Sequence, residues 1–142
     1  MAKILLDIVT PDKLLLSQEV EQVICRGAEG DFGVLPGHCR FLSSLRVGEL
    51  AYRIGDETHY MTMMWGFVEV TPTRVTVLAE VAEKAEDIDV ERAQAQVLAG
   101  EATVAAGGSR EAMEAALTSL DKARLRKKVA ERMQRRSSDG RP

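Results

Sequence analysis

The sequence predicts an N-terminal antiparallel β-sandwich followed by a C-terminal antiparallel hairpin of two helices. Three observations predict it. Up to about residue 80, short β-branched runs alternate with period two and are separated by turn residues every 8–12 positions. From Asp87 to Arg136 there is no proline, and alanine, glutamate, glutamine, lysine and arginine dominate, all strong helix formers. The charge also changes sign: residues 1–86 hold 8 Lys+Arg against 13 Asp+Glu, and residues 87–142 hold 11 against 9. Two units with different neighbours follow, a β domain over 1–86 and a helical hairpin over 87–136, with a disordered tail expected over 137–142.

Taken in order, KILLDIV (3–9) is a short apolar run ended by Thr10-Pro11. VEQVICR (20–26) alternates Val20, Gln22 and Ile24 with Glu21, Val23 and Cys25. VGELAYRI (47–54) sets Leu50, Tyr52 and Ile54 against Glu49, Ala51 and Arg53. Gly55-Asp56 turns the chain into THYMTMM, and WGFVEV (65–70) places Phe67 opposite Val68 and Val70. Thr71-Pro72-Thr73 turns it again into RVTVLAE (74–80). No helix-length pattern intervenes, which argues against parallel βαβ units.

Asp87 or Asp89 caps the first helix, Gly107-Gly108 stops it, and Ser109 caps the second. In the first helix Val90, Ala93, Val97 and Val104 form a narrow stripe. In the second, Met113, Ala116, Leu117 and Leu120 share one face, whereas Leu125, Val129 and Met133 lie more than 90° away. Helices so poor in large side chains bury little, and a hairpin held so weakly opens at low cost.

The ten residues EGDFGVLPGH (29–38) could be read as chemistry, with Asp31, His38 and the adjacent Cys39 within reach of each other. A catalytic constellation needs a nucleophile or metal beside a base, and no second-ligand spacing accompanies His38 or His59. The composition favours a shaped turn. Gly30, Gly33 and Gly37 give permissive backbone, Pro36-Gly37 is a type II turn signature, and Phe32, Val34 and Leu35 pin the loop to the sandwich. An exposed rigid turn is a docking surface.

Composition argues against other classes. No apolar run reaches the ~18 residues of a membrane span, and the opening residues lack a signal-peptide pattern, so a soluble chain reaching a membrane only through partners is expected. Cys25 and Cys39 fit no metal or redox motif. Between Lys122 and Arg136 eight basic residues face one acid, yet the chain is net −3 and no aromatic lies among those cations for base stacking, against nucleic acid. Read alone, that run is a solvated face. A free-standing sandwich module whose basic arm binds an acidic partner or nucleic acid is the alternative reading.

TPDKLLLS, EGDFGVLPGH, WGFVEV, RVTVLAE and DIDVERAQ, in that order, resemble the ε subunit of bacterial F-type ATP synthases over the chain up to about Arg136. The resemblance implies a ten-stranded sandwich and two helices in a non-catalytic rotor subunit. It implies a sandwich that binds the γ subunit and rests on the c-ring, with Asp31 toward the ring and His38 in the same turn. It implies a hairpin that moves between compact and extended forms. When extended, Lys122, Arg124, Arg126, Lys127, Lys128 and Arg132, with Arg135 and Arg136, would approach an acidic segment of the catalytic β subunit and restrain hydrolysis. It implies no required cofactor, and ATP as a regulatory ligand through Ile88, Asp89, Arg92 and Ala93, completed by Arg126. Helix capping is the ordinary use of the same acid. The implied location is peripheral, on the cytoplasmic face of the bacterial inner membrane.

Overall fold

A computed structural model describes residues 2–27, 30–37 and 40–138, with side chains to residue 133. Seven strands form one hydrogen-bonded sheet: β1 (Ile4–Val9), β2 (Leu14–Val20), β3 (Gln22–Gly27), β4 (Gly30–Val34), β5 (Phe41–Ile54), β6 (Glu57–Val70) and β7 (Arg74–Lys84). Their order is β2-β1-β7-β6-β5-β3-β4. Every neighbouring pair is antiparallel except β1 with β7, which run parallel from Leu5↔Arg74 to Val9↔Leu78. That parallel pair joins segments far apart in the chain, and no local pattern announces it.

The sheet becomes a sandwich because its three longest strands cross from one layer to the other. In β6 the core-facing residues are Met61 and Met63, then Val68 and Val70, so the alternation changes phase between them. Trp65 lies at the change, with φ at 56° in the left-handed region. The registers run Val47↔Met64 and Leu45↔Gly66 on one side of β6, and Met64↔Val81 and Gly66↔Ala79 on the other, flanking Trp65. The neighbours change phase along the same line: β5 from Phe41 and Leu45 to Leu50 and Tyr52, β7 from Val75, Val77 and Ala79 to Ala82. Bends of this kind are how strands switch sheets at a sandwich corner. Five segments fall in each layer, which accounts for the ten strands implied by the resemblance.

Gly66 is obligatory at this corner. A Cβ there would meet the Leu78 carbonyl oxygen at 1.8 Å and the Ala79 Cα at 2.8 Å. Polar ties fix the outer strands and turns. The Ser17 hydroxyl donates to Asp7 Oδ1 at 2.6 Å, and Arg74 lies 3.4 Å from the same carboxylate, linking β2, β1 and β7. Glu21 Oε2 accepts from Arg53 at 2.9 Å and from the Gly55 N–H at 2.9 Å, holding the Gly55-Asp56 turn.

Three sequence expectations change. VEQVICR is not one strand: Val20 closes β2, Glu21 breaks the run, and Val23 and Cys25 face the core in β3. The THYMTMM and WGFVEV segments are one continuous strand through Trp65. Half of the expected loop is strand, since Gly30–Val34 pairs with β3 from Gly27↔Gly30 to Val23↔Val34. Gly33 sits in that ladder without positive φ, and Leu35 is 54% exposed, so neither plays its expected part. Val34 does pin the segment, as does Phe32, whose ring meets Phe41 edge-on at 5.1 Å. Pro36-Gly37 does turn the chain, with Gly37 at φ 85° and its N–H donating to the Pro72 carbonyl at 2.8 Å.

A second compact unit begins at Ala85. A short 3-10 turn (Ala85–Asp87) leads to α1 (Val90–Ala106) and α2 (Arg110–Ser138). Asp89 is the N-cap, its Oδ1 accepting from the Arg92 N–H at 3.1 Å. Gly107 (φ 76°) and Gly108 (φ 138°) form the reversal, and Ser109 Oγ accepts from the Ala112 N–H at 3.1 Å. All three local signals act as the sequence predicts. Val97 packs with Leu120 and Ala123, and Val104 lies against them half-buried. Leu117, expected on that face, is 44% exposed. The helix carries on through Ser138, while residues 139–142 of the expected tail lie outside the described residues.

Candidate functional site

The two helices leave a groove of about 340 Å³ between them. Its floor is Ala99, Gly100 and Ala123; Gln96, Thr103 and Ser119 give it polar walls, and Lys122 and Arg126 give it charge. The small floor explains the close approach, since a Cβ on Gly100 would lie 3.0 Å from Leu120 Cδ1. Lys122 and Arg126 are one turn apart on α2, so their charges lie about 6 Å apart along the axis. The volume falls in the usual range for small-molecule sites, roughly 300–1,000 Å³.

Arg126 lines this groove. Gln96, Ala99, Gly100 and Thr103 follow Arg92 at helical spacing, so Arg92 extends the same row one turn toward the start of α1. Asp89 spends one carboxylate oxygen on the helix cap. Ile88 is half-buried, with its N–H on the Ala85 carbonyl at 3.2 Å, and Ala93 is buried. Gln96, Thr103 and Ser119 escaped the sequence reading. Polar residues set three to four apart in an alanine-rich helix, opposite a cation pair, were the available signal.

The basic run does not form one face. At about 100° per residue, Lys122 and Arg126 point to the groove side, whereas Arg124, Lys128 and Arg132 project from a different sector and Lys127 lies between. Arg124 and Lys128 are exposed; Lys122, Arg126, Lys127 and Arg132 are half-buried.

In the sandwich, Asp31 is exposed on β4, opposite Arg26 in the β3–β4 register. It borders a second cavity of about 250 Å³, with Cys25 and residues 43–48 of β5. His38 and Cys39 lie outside the described residues. Burial pushes the Cys25 thiol up to about 12, leaving it protonated and inert at neutral pH. Among the described residues no group of three or more His, Cys, Asp or Glu is placed to hold a metal, and no helix is long and apolar enough to cross a membrane.

The outer face of the first layer is unusually apolar. Val9, Leu78, Phe67 and Ser44 form one cross-strand row, with Leu42 on the next. Leu42 is 67% exposed, Phe67 53% and Leu78 51%. A cluster of large exposed apolar side chains marks a surface built to be covered.

Known proteins bear on these features. The family model described as the ATP synthase delta/epsilon chain, beta-sandwich domain matches residues 3–85. An ATP synthase epsilon chain from Syntrophobacter fumaroxidans is 48% identical over 130 residues, 92% of this chain and 97% of the relative. One from Citrifermentans bemidjiense is 54% identical over 93 residues, 66% of this chain and 67% of the relative. A chain of the Euglena gracilis mitochondrial ATP synthase OSCP/F1/c-ring structure shares the fold, with a TM-score of 0.79 at 23% identity over 88% of this chain and 79% of that one. With its sandwich matched from end to end and a bacterial relative nearly half identical along almost its whole length, this chain belongs to the epsilon-chain family of ATP synthases.

Proposed function

We propose that the chain is a non-catalytic central-stalk subunit of a proton-translocating F-type ATP synthase. Its sandwich couples γ to the c-ring, and its helical hairpin regulates hydrolysis against the catalytic β subunit. The observation that carries this reading is the near full-length match to epsilon chains. The exposed apolar face of the first layer supports a life inside an assembly, because Leu42, Phe67 and Leu78 in water cost what burial would recover. The subunit sits peripherally, on the cytoplasmic face of a bacterial inner membrane.

The two units divide the work. The sandwich has a continuous core, which suits it to passing torque. Asp31, exposed on β4, faces the ring, and His38 belongs to the same contact. The hairpin, over residues 87–136, is suited to switching. Among the described residues its own buried cluster is Val97, Leu120 and Ala123, with Val104 beside them. Burying one Val or Leu yields about 1.5–3 kcal/mol, so so small a cluster is biased by modest differences in contact energy. The exposed Arg124 and Lys128 offer charge to an acidic partner surface, and Lys127 and Arg132 extend it.

ATP is the regulatory ligand of the closed hairpin. Lys122 and Arg126 take its phosphates, and Arg92, one turn along the opposite wall, adds a third cation. Asp89 with Ile88 and Ala93 shapes the start of α1 that this wall requires. ATP bound here would bridge both helices and favour the state in which they lie together.

The test is ATPase activity of the assembled complex, carrying either the full chain or a chain stopped after Glu86. Higher hydrolysis with the truncated chain is expected. Equal hydrolysis in complexes of equal subunit content would remove the regulatory role while leaving the coupling role intact.

A further inference from the structure

We draw no further inference here: the strongest candidate, the apolar outer face of the first sandwich layer around Leu42, Phe67 and Leu78, carries nothing beyond the stalk reading because nothing in the structure shows what covers it.

Discussion

Replacing Gly66 with alanine should unfold the corner on which the sandwich depends. The added Cβ would start 1.8 Å from the Leu78 carbonyl oxygen, 2.7 Å from its carbon and 2.8 Å from the Ala79 Cα, all of them backbone atoms. Real Cβ contacts essentially never fall under 3.0 Å, so β6 and β7 must separate by more than 1 Å. No rotamer change relieves this, because no side chain is at fault. Overpacking of this kind costs about 1–3 kcal/mol where neighbours adjust, and each strand hydrogen bond lost adds about 1 kcal/mol. A total of roughly 3–5 kcal/mol is expected, a large share of a domain stability of about 0.05–0.15 kcal/mol per residue. The sandwich midpoint should fall by roughly 15–30 °C, at about 4–8 °C per kcal/mol for a domain of this size. Trp65 is the single tryptophan and adjoins the corner, so its fluorescence reports the sandwich and not the hairpin. Denaturant and thermal melts of Gly66→Ala against the parent chain decide the matter. A loss below 1 kcal/mol would mean that β6 and β7 do not approach this closely, and the layer crossing would have to be redrawn.

Three further outcomes are expected. At position 65, glycine should be more stable than alanine by about 1 kcal/mol in melts followed by circular dichroism, reversing the usual strand preference, because φ is positive there; alanine equal or better would remove the left-handed assignment. Cys25, with its thiol pushed from 9.0 to about 12 by burial, favours folding below pH 9 and loses that contribution as pH rises toward 12. Between pH 8 and 10.5 the parent should therefore lose about 2 kcal/mol more than Cys25→Ala, at 1.36 kcal/mol per pKa unit; parallel pH profiles would show that the thiol titrates near its ordinary value. In calorimetric titration with Mg-ATP, Arg126→Ala and Lys122→Ala should each weaken binding about 10-fold or more, the worth of a charge-assisted hydrogen bond. Arg124→Ala, in a different sector of α2, should change it little, and equal losses at 124 and 126 would move the ligand out of the groove.

Local chemistry made the hairpin legible. The Asp89 cap, the Gly107-Gly108 reversal and the Ser109 cap each rest on residues within four positions of one another, and each appears where expected. Period-two alternation located the middle of most strands for the same reason. What the sequence hid is nonlocal. The parallel pairing of β1 and β7 joins Leu5 to Arg74, and no feature of either segment encodes its partner. β4 was hidden by its glycines, which weaken a strand's own signal and leave Phe32 and Val34 as its only apolar marks. In the groove, the resemblance had already singled out Arg126, but Gln96, Thr103 and Ser119 become a wall only when two helices are laid antiparallel.

The layer crossing shows why such features resist reading. A strand residue in the left-handed region inverts the alternation that period-two analysis relies on, so one strand reads as two. Here that residue is a tryptophan, a side chain that favours strands and pays about 1–2 kcal/mol to adopt this backbone. Glycine at the next position is what reveals the corner, because Gly66 lets β6 come against the Leu78 carbonyl while Trp65 turns the phase. The cost at Trp65 is held by the ladders on both sides, which resume at Met64 and at Gly66. Because the phase reverses there, Phe67 points outward beside Leu42 and Leu78, and Val68 and Val70 point into the core. Without the inversion Phe67 and Glu69 would turn inward and Val68 and Val70 outward. The same backbone feature that makes a single sheet into a sandwich thus also decides which apolar side chains fill its core and which face outward.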